Sequence, residues 1–377
     1  MTFLQNLYFQ KSNNAFYLEV RPILLLFRIF SRMSYDIKDG TLICRPRRIG
    51  SLVWFILYGV QLYVSIDLSM WLTWHLKQEK NFITSIVMAV TLVFIVLHLF
   101  LPISLIMESH QICSYVNRWA HLQVQFYKAT GKKFIPKYRK LLFVLLVVTP
   151  LHEILAMWIC RSVLYYNRWY HLVFYFSTFF VCQLNTLFWA ISFYEMAHIA
   201  SEIKEGLRTN FRSFGGYSNI ANLRSLWVSL VDLCADLGRA LWKTMIILMM
   251  INFGSSVASV YAIISHFISG SQGIWMFVIL LFCNGTSILL MVEPVHMAML
   301  KAGHGVYQEL LEFNVTKLGG NSFAQVDKFL QVVKGINPRV TLGGFFTIDR
   351  SLLTTIAGAS VTYLIVLIQF RIPSENM

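Results

Sequence analysis

Apolar residues in this chain gather in blocks as long as a bilayer is thick. About 20 residues at 1.5 Å rise each cross a hydrocarbon core of about 30 Å. The pattern predicts seven such helices, over Ile49–Leu72, Phe82–Met107, Leu141–Val163, Trp169–Ala197, Leu241–Ile268, Gly273–Ala298 and Ser351–Phe370. Between some blocks the period shortens to one helical face. Ile199, Ile203 and Leu207 carry the fourth span onward, and Leu223, Leu226, Leu230, Leu233, Leu237 and Leu241 follow the 3–4 spacing of a packing seam. A helix unbroken from Asn219 to Ile268 is about 75 Å long. Val306, Leu310 and Phe313 predict a short helix stopped at Gly319-Gly320. Ser322 and Gln325 have capping-box spacing for the next one, whose apolar face is Phe323, Val326, Leu330 and Val333. Faces this apolar outside lipid mark an interface, and the leucine spacing favours other subunits over the chain's own helices.

The fold expected is therefore an all-α membrane protein. It has a cytoplasmic N-terminal segment, 1–48, and a seven-helix domain, 49–377. Helical extensions over about 198–240 and 300–350 form an anchor region, and the last helix is 351–370. Composition agrees: 56% of residues are apolar, 13% are charged, and mean hydropathy is +0.59.

The net charge of +14 acquires meaning from its placement. Of 32 Lys and Arg, 27 lie on one side of the predicted spans and five on the other: Lys77, Lys80, Arg161, Arg168 and Arg371. Basic residues are retained in the cytoplasm during insertion, so the N-terminus is expected inside and the C-terminus outside. These charges flank apolar spans and form no stripe on a soluble face, so no nucleic-acid partner is expected. A G-protein-coupled receptor has the opposite orientation, and the cysteine it needs at the outer end of its third span has no counterpart near Leu141. A secondary transporter is the weaker alternative, because Pro102, Pro150 and Pro294 fall in no repeated frame.

No HExxH, phosphate loop or nucleophile elbow occurs, so no enzyme is expected. The cysteines Cys44, Cys113, Cys160, Cys182, Cys234 and Cys283 lack metal or redox spacing, and neither metal nor cofactor is expected. Val20–Phe30 is apolar but interrupted by Arg21 and Arg28, which is not a signal peptide. Two sequons, at Asn284 and Asn314, fall inside a span and on the cytoplasmic side, so neither should be glycosylated.

The seventh span differs from the rest. Thr354, Thr355, Ala357, Gly358, Ala359 and Ser360 are small enough for close helix approach. Thr362, Val366, Gln369 and Phe370 share the face beyond them. A glutamine amide there needs a polar partner or water. An interhelical hydrogen bond answers that need, and so does a water-filled axis between copies of the helix.

Thr362-Tyr363, five apolar residues and Gln369-Phe370 resemble the TYhhhhhQF signature of insect gustatory receptors, and the resemblance extends over nearly the whole chain. It implies a tastant-gated, non-selective cation channel in the plasma membrane of gustatory dendrites. It also implies a tetramer, homomeric or mixed with other subunits, whose last helices line the pore. Thr362, Val366, Gln369 and Phe370 would then be pore or gate residues, with Tyr363 positioning the helix. Leu364 stands where the sugar-sensing branch has Glu, which leaves bitter or aversive compounds as the expected ligands. An outward-opening pocket is expected from intramembrane polar and aromatic residues: Glu153, Trp158, Tyr175, Gln183 and Trp275. The alternative for Glu153 is structural, a carboxyl that is neutral or paired with His98 and holds helices together.

Overall fold

The structure is a computed structural model that describes residues 14–30, 33, 35–38, 41–44, 48–78, 82–163, 169–212, 219–269, 274–312 and 320–374. The helices at the predicted spans are α2 (Arg48–Gln78), α3 (Phe82–Thr130), α4 (Arg139–Val163), α5 (Trp169–Arg212), α6 (Ile220–Ser269), α7 (Ile274–Leu300) and α10 (Arg350–Ser374). Among the described residues four helices, α2, α3, α6 and α7, are apolar and long enough to cross a membrane by composition alone.

The cytoplasmic side is more helical than its charge density suggests. Beyond Met107, α3 continues to Thr130, because Ile112, Val116, Trp119, Leu122 and Phe126 present one buried face. α5 and α6 project the same way. The leucine seam of α6 is buried within the single chain, together with Ile199, Ile203 and Leu207 of α5. The expectation that it faces other subunits is therefore corrected: the spacing identified a packing face, and α3 and α5 cover it.

After α7 comes one π-helical turn (Lys301–Gly305), then α8 (Val306–Leu311) and α9 (Gly320–Gly335). α9 starts two residues before Ser322, so the predicted capping box does not start it. Gln325 accepts from Arg224 Nη1 at 3.4 Å instead. Val326, Phe329 and Val333 are buried on α9, whereas Phe323 is exposed. Phe313 lies outside the described residues.

Three features were not anticipated. Helix α1 (Ala15–Ile29) starts at Asn14, whose side-chain oxygen accepts from Tyr17 N at 3.0 Å. It buries Phe16, Val20, Ile23, Leu24 and Phe27, with Phe16 stacked on Trp119 at 4.0 Å. An antiparallel hairpin, β1 (Tyr35–Lys38) and β2 (Thr41–Cys44), follows. Asn117 of α3 fastens it by accepting from Leu42 N at 2.8 Å and donating to Leu42 O at 2.7 Å. A second hairpin, β3 (Thr341–Leu342) and β4 (Phe346–Thr347), leads into α10.

Candidate pore helix, its foot and the intramembrane polar layer

The start of α10 is held from three sides. Asp349 Oδ1 accepts from Ser351 N at 2.9 Å, Leu352 N at 3.3 Å and Ser351 Oγ at 2.5 Å. The Ser351 hydroxyl and these amides hold its carboxyl below the usual carboxylate range. Arg350 forks onto Glu293 of α7, with Nη2–Oε1 at 2.5 Å and Nε–Oε2 at 3.0 Å. The β3–β4 turn lies on α6: Val340 and Leu342 are buried, and Gly343 takes φ +58° beside Trp242.

That contact falls where α6 departs from simple helical bonding. The amides of Lys243 and Thr244 donate to Glu108 Oε1 at 2.9 and 3.2 Å, and the Thr244 hydroxyl donates to Glu108 Oε2 at 2.5 Å. The carbonyls those amides would use in a regular helix belong to Arg239 and Ala240. With the Gln111 amide turned so that its nitrogen faces them, it donates to both, at 3.3 and 3.1 Å. Glu108 and Gln111, one turn apart on α3, thus supply α6 with an acceptor and a donor. Sequence reasoning missed this staple, since a polar residue after an apolar span reads only as its boundary.

Above its foot, α10 touches its own chain along a narrow strip. Leu364 is buried with Val257 and Tyr261 of α6, and the Tyr363 ring meets Phe253 edge-on at 6.1 Å. Thr362 Oγ1 donates back to Gly358 O at 3.1 Å. Thr354, Thr355, Gly358, Val361, Thr362, Ile365, Val366 and Gln369 are all exposed. The Phe370 side chain lies outside the described residues.

Of the predicted pocket residues, Glu153 is buried and Gln183 half-buried, whereas Trp158 and Trp275 are exposed. Glu153 is buried and lies 3.1 Å from His152 Nδ1 rather than beside His98, whose Nδ1 approaches the Phe94 carbonyl at 2.6 Å. Cys283 of α7 is the other neighbour of His152. Gln183 donates to Ser287 Oγ at 3.0 Å, so α5 meets α7 through it. Trp158 and Trp275 are 60% and 74% exposed, so neither encloses Glu153 or Gln183 as a wall. An aromatic side chain in a membrane can face lipid, which the sequence pattern does not reveal. The Tyr175 side chain lies outside the described residues. Nearer the outside, Asp67 Oδ2 accepts from Tyr170 Oη at 3.0 Å and from His171 Nε2 at 2.8 Å, joining α2 to α5. Asn284 donates to Ser255 Oγ at 2.8 Å inside the bundle. Among the described residues no group of three or more His, Cys, Asp or Glu side chains is placed to hold a metal ion.

Seven membrane helices with extended inner ends and a loosely held last helix define a multi-pass membrane protein. Residues 20–373 match the 7tm Chemosensory receptor family, and the chain belongs to it. Gustatory and odorant receptor 21a of Drosophila melanogaster is 25% identical over 306 residues, 79% of this chain and 66% of the relative. Gustatory and odorant receptor 24 of Anopheles gambiae is 22% identical over 364 residues, 93% of this chain and 78% of the relative. Gustatory and odorant receptor 22 of the same mosquito is 25% identical over 308 residues, 78% of this chain and 64% of the relative. This chain therefore spans about two-thirds of the length of two of these relatives. Among solved structures, the olfactory receptor OR5 from Machilis hrabei shares the fold, with TM-score 0.66 at 12% identity over 95% of this chain and all of that one. Its complex with eugenol matches with TM-score 0.64 at 13% identity, over 93% of this chain and 97% of that one.

Proposed function

We propose that this protein is a ligand-gated, non-selective cation channel of the plasma membrane, opened by a small-molecule tastant and assembled as a tetramer around four copies of α10. The carrying observation is the uncovered surface of α10. A membrane helix whose small, hydroxyl and amide residues are exposed on its own chain is suited to helix neighbours and an aqueous axis. Val366, Gln369 and Phe370 narrow that axis, Thr362 lines it, and Tyr363 seats the helix on α6. Exposed Phe345, at the turn beside the foot of α10, offers apolar surface to an adjoining subunit.

The ligand is a small organic molecule, bitter or aversive in character. The names of the relatives support chemoreception, and the olfactory receptor of the same fold was captured with eugenol. Glu153 with His152, and Gln183 with Ser287, form the polar layer against which such a molecule is oriented. The membrane site belongs to dendrites of gustatory neurons, and other receptor subunits are the candidate assembly partners.

Purified protein in planar bilayers tests the reading. Stepwise single-channel currents are expected, and Gln369→Ala or Phe370→Ala should change their conductance or unliganded opening. No steps in the parent protein, or unaltered currents in both variants, overturns the pore assignment.

A further inference from the structure

Helix α1 closes on the bundle with a carboxyl in its buried face. Glu19 is 2% exposed, and opposite it stands Glu195 of α5, which is fully buried. Glu195 Oε1 accepts from Lys137 N at 2.7 Å and Tyr138 N at 2.9 Å, the two amides that lead into α4. Glu195 Oε2 and both Glu19 oxygens have no N–H or O–H donor among the described residues. Two carboxylates facing each other away from water repel and lack hydration. One proton between them removes a charge and turns an orphan acceptor into an O–H donor.

We propose that Glu19 and Glu195 form a proton-binding site, in which one proton shared by the two carboxyls holds α1 to α5 and to the start of α4. The charged and titratable neighbours are consistent with one remaining negative charge. Arg139 lies near Glu19, while Lys137 and the Tyr138 phenol lie near Glu195. His198, one turn on from Glu195, is itself disfavoured as a cation by burial and by Lys137. On the α3 side the wall is Tyr115 and Trp119, packed against Phe16.

Burial, reinforced by the Glu195 charge, pushes the Glu19 carboxyl up from 4.5 to about 9, with Arg139 opposing. Between those values the docked helix holds a proton that the undocked one releases. Docking is therefore strongest at the acid end. It weakens by up to about tenfold per pH unit as pH rises, and levels off above the raised value.

Hydrogen exchange of residues 15–29 in the intact receptor, corrected for the intrinsic rate at each pH, tests this. Protection in the parent protein should fall by at least about tenfold from neutral to alkaline pH. Glu19→Gln supplies a permanent N–H donor and should flatten that dependence. Glu195→Gln, which keeps an acceptor for Lys137 and Tyr138, should reduce the dependence, since Glu19 stays buried but loses the charge facing it. The infrared difference between parent and Glu19→Gln should contain a protonated-carboxyl C=O band at neutral pH that bleaches on alkaline titration. Protection independent of pH in the parent, an equally steep dependence in the variants, or no such band overturns the site. Should either variant misfold, the parent's exchange profile and its own infrared pH titration decide. None of these readouts depends on conduction or on a tastant.

Discussion

Arg350 and Glu293 grip each other through both ends of their planar groups, the first residue of α10 against the inner end of α7. A forked guanidinium–carboxylate contact fixes orientation as well as distance, which an ammonium cannot do. Loosening it frees the foot of the proposed pore helix. Arg350→Lys and Glu293→Gln should each raise unliganded opening and shift the half-activating concentration by about two- to fivefold, the scale of an exposed pair. The exchange Arg350→Glu with Glu293→Arg should recover part of the parent behaviour. A concentration–response series on all four proteins checks this; no recovery in the exchange would leave the two residues acting separately.

Glu108 serves three donors of α6 at once. Glu108→Ala strands the Lys243 and Thr244 amides and removes one of two partners of the Thr244 hydroxyl, the other being Ser104 at 2.9 Å. An orphaned buried donor costs about 1–3 kcal/mol, so a loss of about 2–4 kcal/mol is expected. Glu108→Gln keeps an acceptor oxygen and should cost less than half as much. Unfolding of the detergent-solubilised receptor measures the difference. Equal losses would mean that the carboxylate fills space and does not complete hydrogen bonds.

The seven spans were legible because lipid demands apolar residues on every face, and few other environments do. The inner helices were legible as helices, since Ile199–Leu207 and Leu223–Leu241 repeat every three or four residues, but periodicity names a face without naming what covers it. The seam turned inward for that reason. In α3, Val116, Trp119 and Leu122 were obscured by interleaved Arg118, His121 and Gln123. Polar partners were the least legible. Glu108 finds Lys243, and Gln183 finds Ser287, across distances in sequence that no spacing rule spans. Thr362, Val366, Gln369 and Phe370 of α10 were readable as one helical face; the exposure of the first three required the fold.

Two glycines, Gly238 on α6 and Gly343 in the turn, give the hairpin before α10 its space. A Cβ on Gly238 would meet Val340 Cγ1 at 2.9 Å and the Thr341 carbonyl at 3.0 Å. One on Gly343 would meet Trp242 Cε3 at 2.7 Å, at φ +58°. Gly343→Ala combines a disfavoured backbone with a clash and should cost about 1–3 kcal/mol. On Gly358 the added carbon meets nothing within 4 Å of its own chain. Gly358→Leu should therefore leave the protomer as stable as the parent, yet reduce the tetramer fraction, because in the proposed assembly the position faces a neighbouring α10. Thermal unfolding and mass photometry separate the two effects. An undiminished tetramer would place that face of α10 against lipid.

Orientation follows from charge alone and can be measured alone. With 27 of the 32 Lys and Arg on one side, the N-terminus is cytoplasmic and the chain leaves the membrane outward through α10. An epitope appended after Met377 should be stained on intact cells, while one preceding Met1 should need permeabilisation. Asn314, on the cytoplasmic side, should carry no glycan even though Asn-Val-Thr is a complete acceptor. An acceptor sequence inserted between α4 and α5 should be glycosylated, because that connection faces the lumen during synthesis. The reverse pattern would point Gln369 toward the cytoplasm, and the G-protein-coupled arrangement would then regain its footing.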